Sequence, residues 1–155
     1  MNRPVALLAL LLITLSWGAA LVAAPRPLAS SVSALTYAAG SLICHQRPER
    51  SFQYEGAKYP VCARCLGLYI GAVGGVLLWT GVSGLGRIPH ASAARLAHPS
   101  VVRRILIAAA LPTIMTVAAS WLGWDAGNVV RWALALPLGA TIAAVVAAVA
   151  AGDLR

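Results

Sequence analysis

Three cysteines and one histidine crowd into one part of this chain, as Cys44-His45 and, after a polar interval, Cys62-Ala-Arg-Cys65. The two-residue spacing points both sulfurs of the second group at one spot. A loop that doubles back brings Cys44 and His45 to the same spot. Soft thiolates with an imidazole suit a tetrahedral zinc-type ion. Adjacent residues Cys44 and His45 cannot both ligate without strain. The expected donor set is therefore three thiolates, with either His45 or water in the fourth place. A water-completed site is open and suits catalysis, whereas a site closed by His45 is structural. Arg47, Arg50 and Arg64 lie beside these groups and favour the thiolate form.

The same atoms admit a redox reading. Cys62 and Cys65 stand just before a predicted membrane helix, whose positive end lowers a thiol pKa as in thioredoxin-like CxxC sites. A disulfide or inert thiols on a membrane loop is the third possibility. Glu49 has two candidate roles, as a partner for Arg50 or as a general acid or base beside water on a metal, which makes Glu49 and Arg50 the candidate catalytic residues. Farther along, Asp125, Asn128 and Arg131 are expected to face the cysteine loop and complete a polar pocket. Arg131 lies in the first turn of a predicted span, where a cation opposes the helix dipole. The alternative for it is snorkelling to the headgroups. Clustered at one end, Arg47, Arg64, Asn128 and Arg131 would suit an anionic headgroup or a lipid phosphate.

The elements that position these residues belong to a membrane. The chain has 155 residues, of which 60% are apolar and 10% charged, and its mean hydropathy is +0.81. A water-soluble domain carries roughly 25% charged residues, and one this small could not bury so much apolar surface. The expected fold is an all-α membrane bundle of about four spans plus one short helix, in one membrane domain, 1–155. The first span or signal-anchor is 4–24, retained because Pro25 would hinder cleavage. A short helix over 28–43 delivers Cys44 to the surface. The Cys/Arg loop, 44–61, caps one end and contains a tight turn at Glu55-Gly56. Further spans are expected at 61–82, 101–122 and 129–150. Pro112 should kink the third of these four spans, and Asn128 should cap the fourth.

Gly67, Gly71 and Gly75 form a ridge that lets another helix approach closely. Packing within the chain and docking of a partner helix are both open at this stage. Trp79, Trp121, Trp124 and Trp132 fall near span ends, as an aromatic belt would. His90 and His98 read as solvated loop residues. The net charge of +8 is carried by loops and helix ends and comes with no recognition motif, so nucleic-acid binding is not expected. The cysteine loop and the turn before Asn128 are separated by two spans and should share one side. Positive charge does not orient the protein, because five basic residues fall with the loop and five opposite it, and Arg3 and Arg26 add one to each side. No phosphate loop, GxSxG turn, CxxCH or intramembrane carboxylate pair is present, which argues against an NTPase, a serine hydrolase, a c-type cytochrome and a carboxylate-relay transporter.

Taken together, CHQRPERSF, Gly56, PVCARCLGLYIG, Asn128, Arg131 and Gly139 resemble a family of small prokaryotic membrane proteins catalogued as a domain of unknown function. The match runs through Cys44, His45, Gln46, Pro48, Glu49, Arg50, Ser51, Phe52, Gly56, Cys62, Arg64, Cys65, Gly67, Tyr69 and Gly71. The resemblance implies a domain over roughly Leu35 to Gly152, in a multi-pass protein of the inner membrane. It brings no established activity. Relatives carry an acidic residue in the third span, where this chain has Pro112-Thr113-Ile114-Met115-Thr116. The functional expectation is a zinc-type Cys/His protein of the bilayer surface, acting on a lipid or lipid-linked substrate. Its alternatives are a thiol–disulfide protein using Cys62 and Cys65, and a non-catalytic subunit that packs through the glycine ridge.

Overall fold

The computed structural model describes residues 3–26, 30–84 and 98–152. Arg87, Arg95 and His90 lie outside the described residues. Four helices are long and apolar enough to cross a membrane: α1 (Arg3–Ala23), α3 (Ala63–Gly84), α4 (Pro99–Trp121) and α5 (Gly127–Ala150). A shorter helix, α2 (Ser30–Ile43), precedes the polar loop. The loop holds one 3-10 turn, Pro48–Arg50, and a hairpin of β1 (Gln53–Tyr54) with β2 (Ala57–Lys58). This is the all-α membrane architecture that the apolar runs predict, with the cysteine loop over one end. Pro112 and Pro137 both sit inside continuous helices.

The bundle is organised by the pairing of α3 with α5. A Cβ added at Gly67, Gly71 or Gly75 would come closer than 3.0 Å to the backbone of Trp132, Leu136 or Ala140. One added at Gly139 would meet the backbone of Leu68 in the same way. Lipid offers no hydrophobic drive between helices, so backbone approach and dispersion must supply the association. The ridge is thus filled from within the chain. Of the two roles open for Gly67, Gly71 and Gly75, packing within the chain is the one seen here, with α5 on the glycine face. Helix α1 packs on the other side of α3, where Gly18 meets Val73 and Trp17 lies edge-on to Tyr69.

Helix α2 does not cross. It has 14 residues and spans about 21 Å at roughly 1.5 Å per residue, short of the ~30 Å hydrocarbon core. Both its ends lie at the loop end of the bundle. Near its start, Ser33 Oγ donates to the Ala24 carbonyl at 2.7 Å. Beyond its end, Cys44 Sγ accepts the Cys62 N–H at 3.2 Å. Its outward residues Val32, Leu35, Leu42 and Ile43 are exposed and apolar, as on a helix lying in the headgroup–acyl boundary.

Two sequence expectations change in the structure. The residue preceding α5 is Ala126, so Asn128 is inside the first turn and not its cap. Asp125 Oδ1 takes the Gly127 N–H at 2.7 Å instead, which frees the Asn128 amide. Trp132 is not part of an aromatic belt, because it packs against the cluster of Leu21, Cys44, Val61 and Leu66. By contrast Trp121, at the end of α4, and Trp124, in the turn before α5, are exposed.

The glycine contacts make a comparison within one helix. Gly71→Ala should destabilise the detergent-solubilised protein by about 1–3 kcal/mol, the usual cost of overpacking. Gly74→Ala, which meets nothing within 4 Å, should be neutral or better in the same thermal-unfolding assay.

Candidate metal centre

Cys62 stands immediately before α3 and takes the role of an N-terminal cap. Its sulfur accepts the backbone N–H groups of Arg64 and Cys65 and the Cys65 side-chain hydrogen bond. The Cys65 hydrogen bond, foremost, holds the Cys62 thiol down to about 5. Val61 and Ala63, on either side, are fully buried and fix this register. The sulfurs of Cys44, Cys62 and Cys65 lie within 4.8 Å of one another. All three are free, with Cys44 buried and the other two half-buried. Three sulfurs converging on one point can hold a soft or borderline metal ion.

The loop reaches this geometry because α2 holds it. Tyr37 Oη donates to the Lys58 carbonyl. Lys58 Nζ donates to the Gln46 carbonyl at 2.9 Å, and Gln46 Nε2 donates to the Tyr37 carbonyl at 2.9 Å. These three bonds form a closed ring joining α2, the segment after Cys44 and the hairpin. The hairpin turn has Glu55 and Gly56 both at positive φ, 49° and 82°, as a type I′ turn requires. Gln46 also takes a positive φ of 48°, which bends the chain just after Cys44-His45. Gly40 has no room for a Cβ against the Pro60 carbonyl, so the hairpin rests directly on α2.

A cavity of about 420 Å³ opens beside the sulfurs, lined by all three cysteines together with Ile43, His45, Gln46, Arg47, Arg50, Arg64 and Trp121. No acidic residue lines it among the described residues. His45 is exposed on its wall, outside the three-sulfur group. Glu49 is not on the wall. Its carboxylate is exposed and 4.0 Å from Arg47 Nη1, a separation at which a solvated pair contributes little. Glu49 makes no ion pair with Arg50 among the described residues. Arg64 is tethered across the bundle: Nε donates to Thr116 Oγ1 at 3.1 Å, and Nη2 donates to the Thr116 carbonyl at 2.7 Å and to Ser120 Oγ at 3.0 Å.

Asp125, Asn128 and Arg131 stand behind the loop and brace it, and none of them lines the cavity. Asn128 Nδ2 donates to the Ser51 carbonyl at 3.2 Å and reaches the Glu49 carbonyl at 3.5 Å. Arg131 Nη1 donates to Asn128 Oδ1 at 3.3 Å, and Nη2 pairs with Asp125 at 2.8 Å. Arg131 is only 3% exposed and its Nε has no partner, so it is buried and does not snorkel. Sequence reasoning missed Tyr37, Thr116 and Ser120. Hydroxyls on otherwise apolar helices were the available signal, because a polar side chain there is retained for a bond.

The family model described as "Predicted membrane protein (DUF2085)" matches residues 44–145. The chain belongs to this family. The DUF2085 match starts at Cys44 and runs into α5, a narrower range than Leu35 to Gly152. Two archaeal relatives are themselves uncharacterized. MJ1492 of Methanocaldococcus jannaschii is 50% identical over 48 residues, 31% of each chain, so the match spans under a third of that protein's length. A protein of Methanothermobacter thermautotrophicus is 28% identical over 102 residues, 65% of this chain and 81% of the relative. No solved structure matches.

The brace has a defined pH signature. Asp125 is held below the usual carboxylate range, first by the Gly127 N–H and then by Arg131. A depressed folded pKa stabilises above the unfolded value, roughly 3.9, and that stabilisation is lost as pH falls through the folded pKa. Asp125→Asn should therefore lower the thermal midpoint at pH 7, and the gap to the parent protein should close as pH falls through the depressed folded pKa of Asp125.

Proposed function

We propose that this DUF2085 protein carries a zinc-type metal centre at the membrane surface, held by Cys44, Cys62 and Cys65. The observation that supports this best is the convergence of the three sulfurs within 4.8 Å of one another, one of them capping a helix with backbone N–H groups. The donor set fits: three thiolates suit zinc and leave one coordination position. His45 stands near enough along the chain to serve as the fourth ligand after a local rearrangement, and otherwise that position faces the cavity. In the open form the ion would supply Lewis-acid chemistry at the cavity floor. The chain's own groups would do the rest. Arg50 and Arg64 would orient an anionic group of a lipid or lipid-linked substrate, and Glu49, exposed in the loop turn, would serve proton transfer only if the loop rearranges. The membrane is read as the cytoplasmic membrane of a prokaryote, in keeping with archaeal relatives.

A second reading is favoured by the Cys62–Cys65 side-chain hydrogen bond. In it, the Cys62 thiolate attacks an incoming disulfide and Cys65 resolves the mixed disulfide. The two cysteines end oxidised and the incoming disulfide is reduced to two thiols, with the electrons and protons balanced between them.

Metal analysis with a thiol count separates the two, on protein purified anaerobically and without a histidine tag. About one zinc per chain is expected by the ligand count, lost in Cys62→Ser and in Cys44→Ser. Metal-free protein with a Cys62–Cys65 disulfide would overturn the first reading in favour of the second.

A further inference from the structure

The cavity beside the sulfurs is built unevenly. Arg47, Arg50 and Arg64 line it and no acid does. No ion pair reaches Arg50 or Arg64 among the described residues, and the only one reaching Arg47 is the 4.0 Å contact with exposed Glu49. Arg64 spends its tethering bonds on neutral oxygens of Thr116 and Ser120. It also lies within the electrostatic reach of Arg131 and Arg50, and of Cys62 and Asp125. Three thiolates with a divalent ion would carry one net negative charge, against three guanidiniums on the same wall. An excess of positive charge is left at the mouth. Guanidiniums held in this way are the groups that recognise phosphate through paired N–H donors.

Besides His45 and Gln46, two apolar side chains complete the wall, Ile43 and Trp121. Ile43 ends the interfacial helix α2 and is 52% exposed, and Trp121 ends α4 and is 85% exposed. Indole rings favour the headgroup level of a membrane. At about 420 Å³ the space is several times larger than a bare phosphate ion needs. We infer that this cavity takes a net-anionic amphiphile with a terminal phosphate monoester from the side, its phosphate set between Arg47, Arg50 and Arg64 and its acyl chain leaving between Ile43 and Trp121. The inference rests on the reading of the cavity as the mouth of the cysteine centre, and it names the chemical class that the mouth admits. The phosphate would stand beside the three sulfurs.

Quenching of tryptophan fluorescence tests it. The full chain with its bound metal is placed in phosphatidylcholine bilayers doped with brominated phosphatidic acid or, separately, brominated phosphatidylcholine. A Trp121→Phe variant assigns the Trp121 part of the signal, and metal content is read on the same samples. Quenching of Trp121 should reach half-effect at about tenfold lower phosphatidic acid than phosphatidylcholine, a difference near 1.4 kcal/mol. That preference should vanish in Arg47→Gln/Arg50→Gln, whose side chains carry no buried bond and whose fold is checked by thermal unfolding. Equal quenching by both lipids in metal-loaded protein would overturn the inference and leave the metal centre intact. Inorganic phosphate that displaces phosphatidic acid at equal concentration would overturn it too, since the site would then hold free phosphate. Metal-free protein that still prefers phosphatidic acid would remove the metal centre and support the amphiphile site.

Discussion

The close approach of α3 to α5 is the constraint on which the rest of this molecule depends. Where lipid surrounds a bundle, helices gain nothing by hiding apolar surface from one another, so contact must come from shape. Gly67, Gly71 and Gly75 on one helix and Gly139 on the other bring the two backbones together. That contact sets the axial register of both helices. It places the first turn of α3, with Cys62, Arg64 and Cys65, at the same level as the first turns of α5, with Asn128 and Arg131. The cysteine loop is then held from two directions, by α2 through Tyr37 and Gln46 and by α5 through Asn128.

The buried Arg131 shows how such a bundle tolerates a charge. Removing a guanidinium from water is costly unless its donors are met. Here two of its nitrogens are satisfied by Asn128 and Asp125, and the acid itself stays 67% exposed. The pair therefore lies across the boundary between bundle and solvent, with the cation inside and the anion outside. This geometry differs from the snorkelling alternative, in which the long side chain would run outward to the headgroups.

Much of the architecture was legible in the sequence because the hydrocarbon core imposes it. A span must be a long apolar run, and four such runs stand out. The loop turn was legible through Gly56, and the convergence of the cysteines through the CxxC spacing and the polar return segment. Other features were not. Nothing in Glu55 or Gln46 announces a positive φ, since both are ordinary residues, Glu55 set by the hairpin turn and Gln46 tied into the ring of bonds with Tyr37 and Lys58. That α2 lies along the surface depends on what Ser33 and Tyr37 touch, and their types are common in short crossing helices as well. Asn128 reads as a cap by type and position. The structure gives that work to Asp125, because a side chain two residues before Gly127 reaches its N–H with less bending. The distinction between residues that line the cavity and those that brace it from behind is also tertiary. Arg64 and Arg131 both fall in the first turns of their helices, and their spatial neighbours separate the two roles.

The surface position of α2 has a consequence for orientation. With no crossing between Ala23 and Cys44, one span separates the outer end of α1 from the cysteine loop, and one span separates the loop side from the outer end of α5. The two outer ends thus lie on one face of the membrane and the sulfurs on the other. Basic residues balance across the chain and leave its orientation undetermined. A compartment reporter at either end therefore fixes the redox environment of the thiols, and with it whether they live in a reducing or an oxidising space.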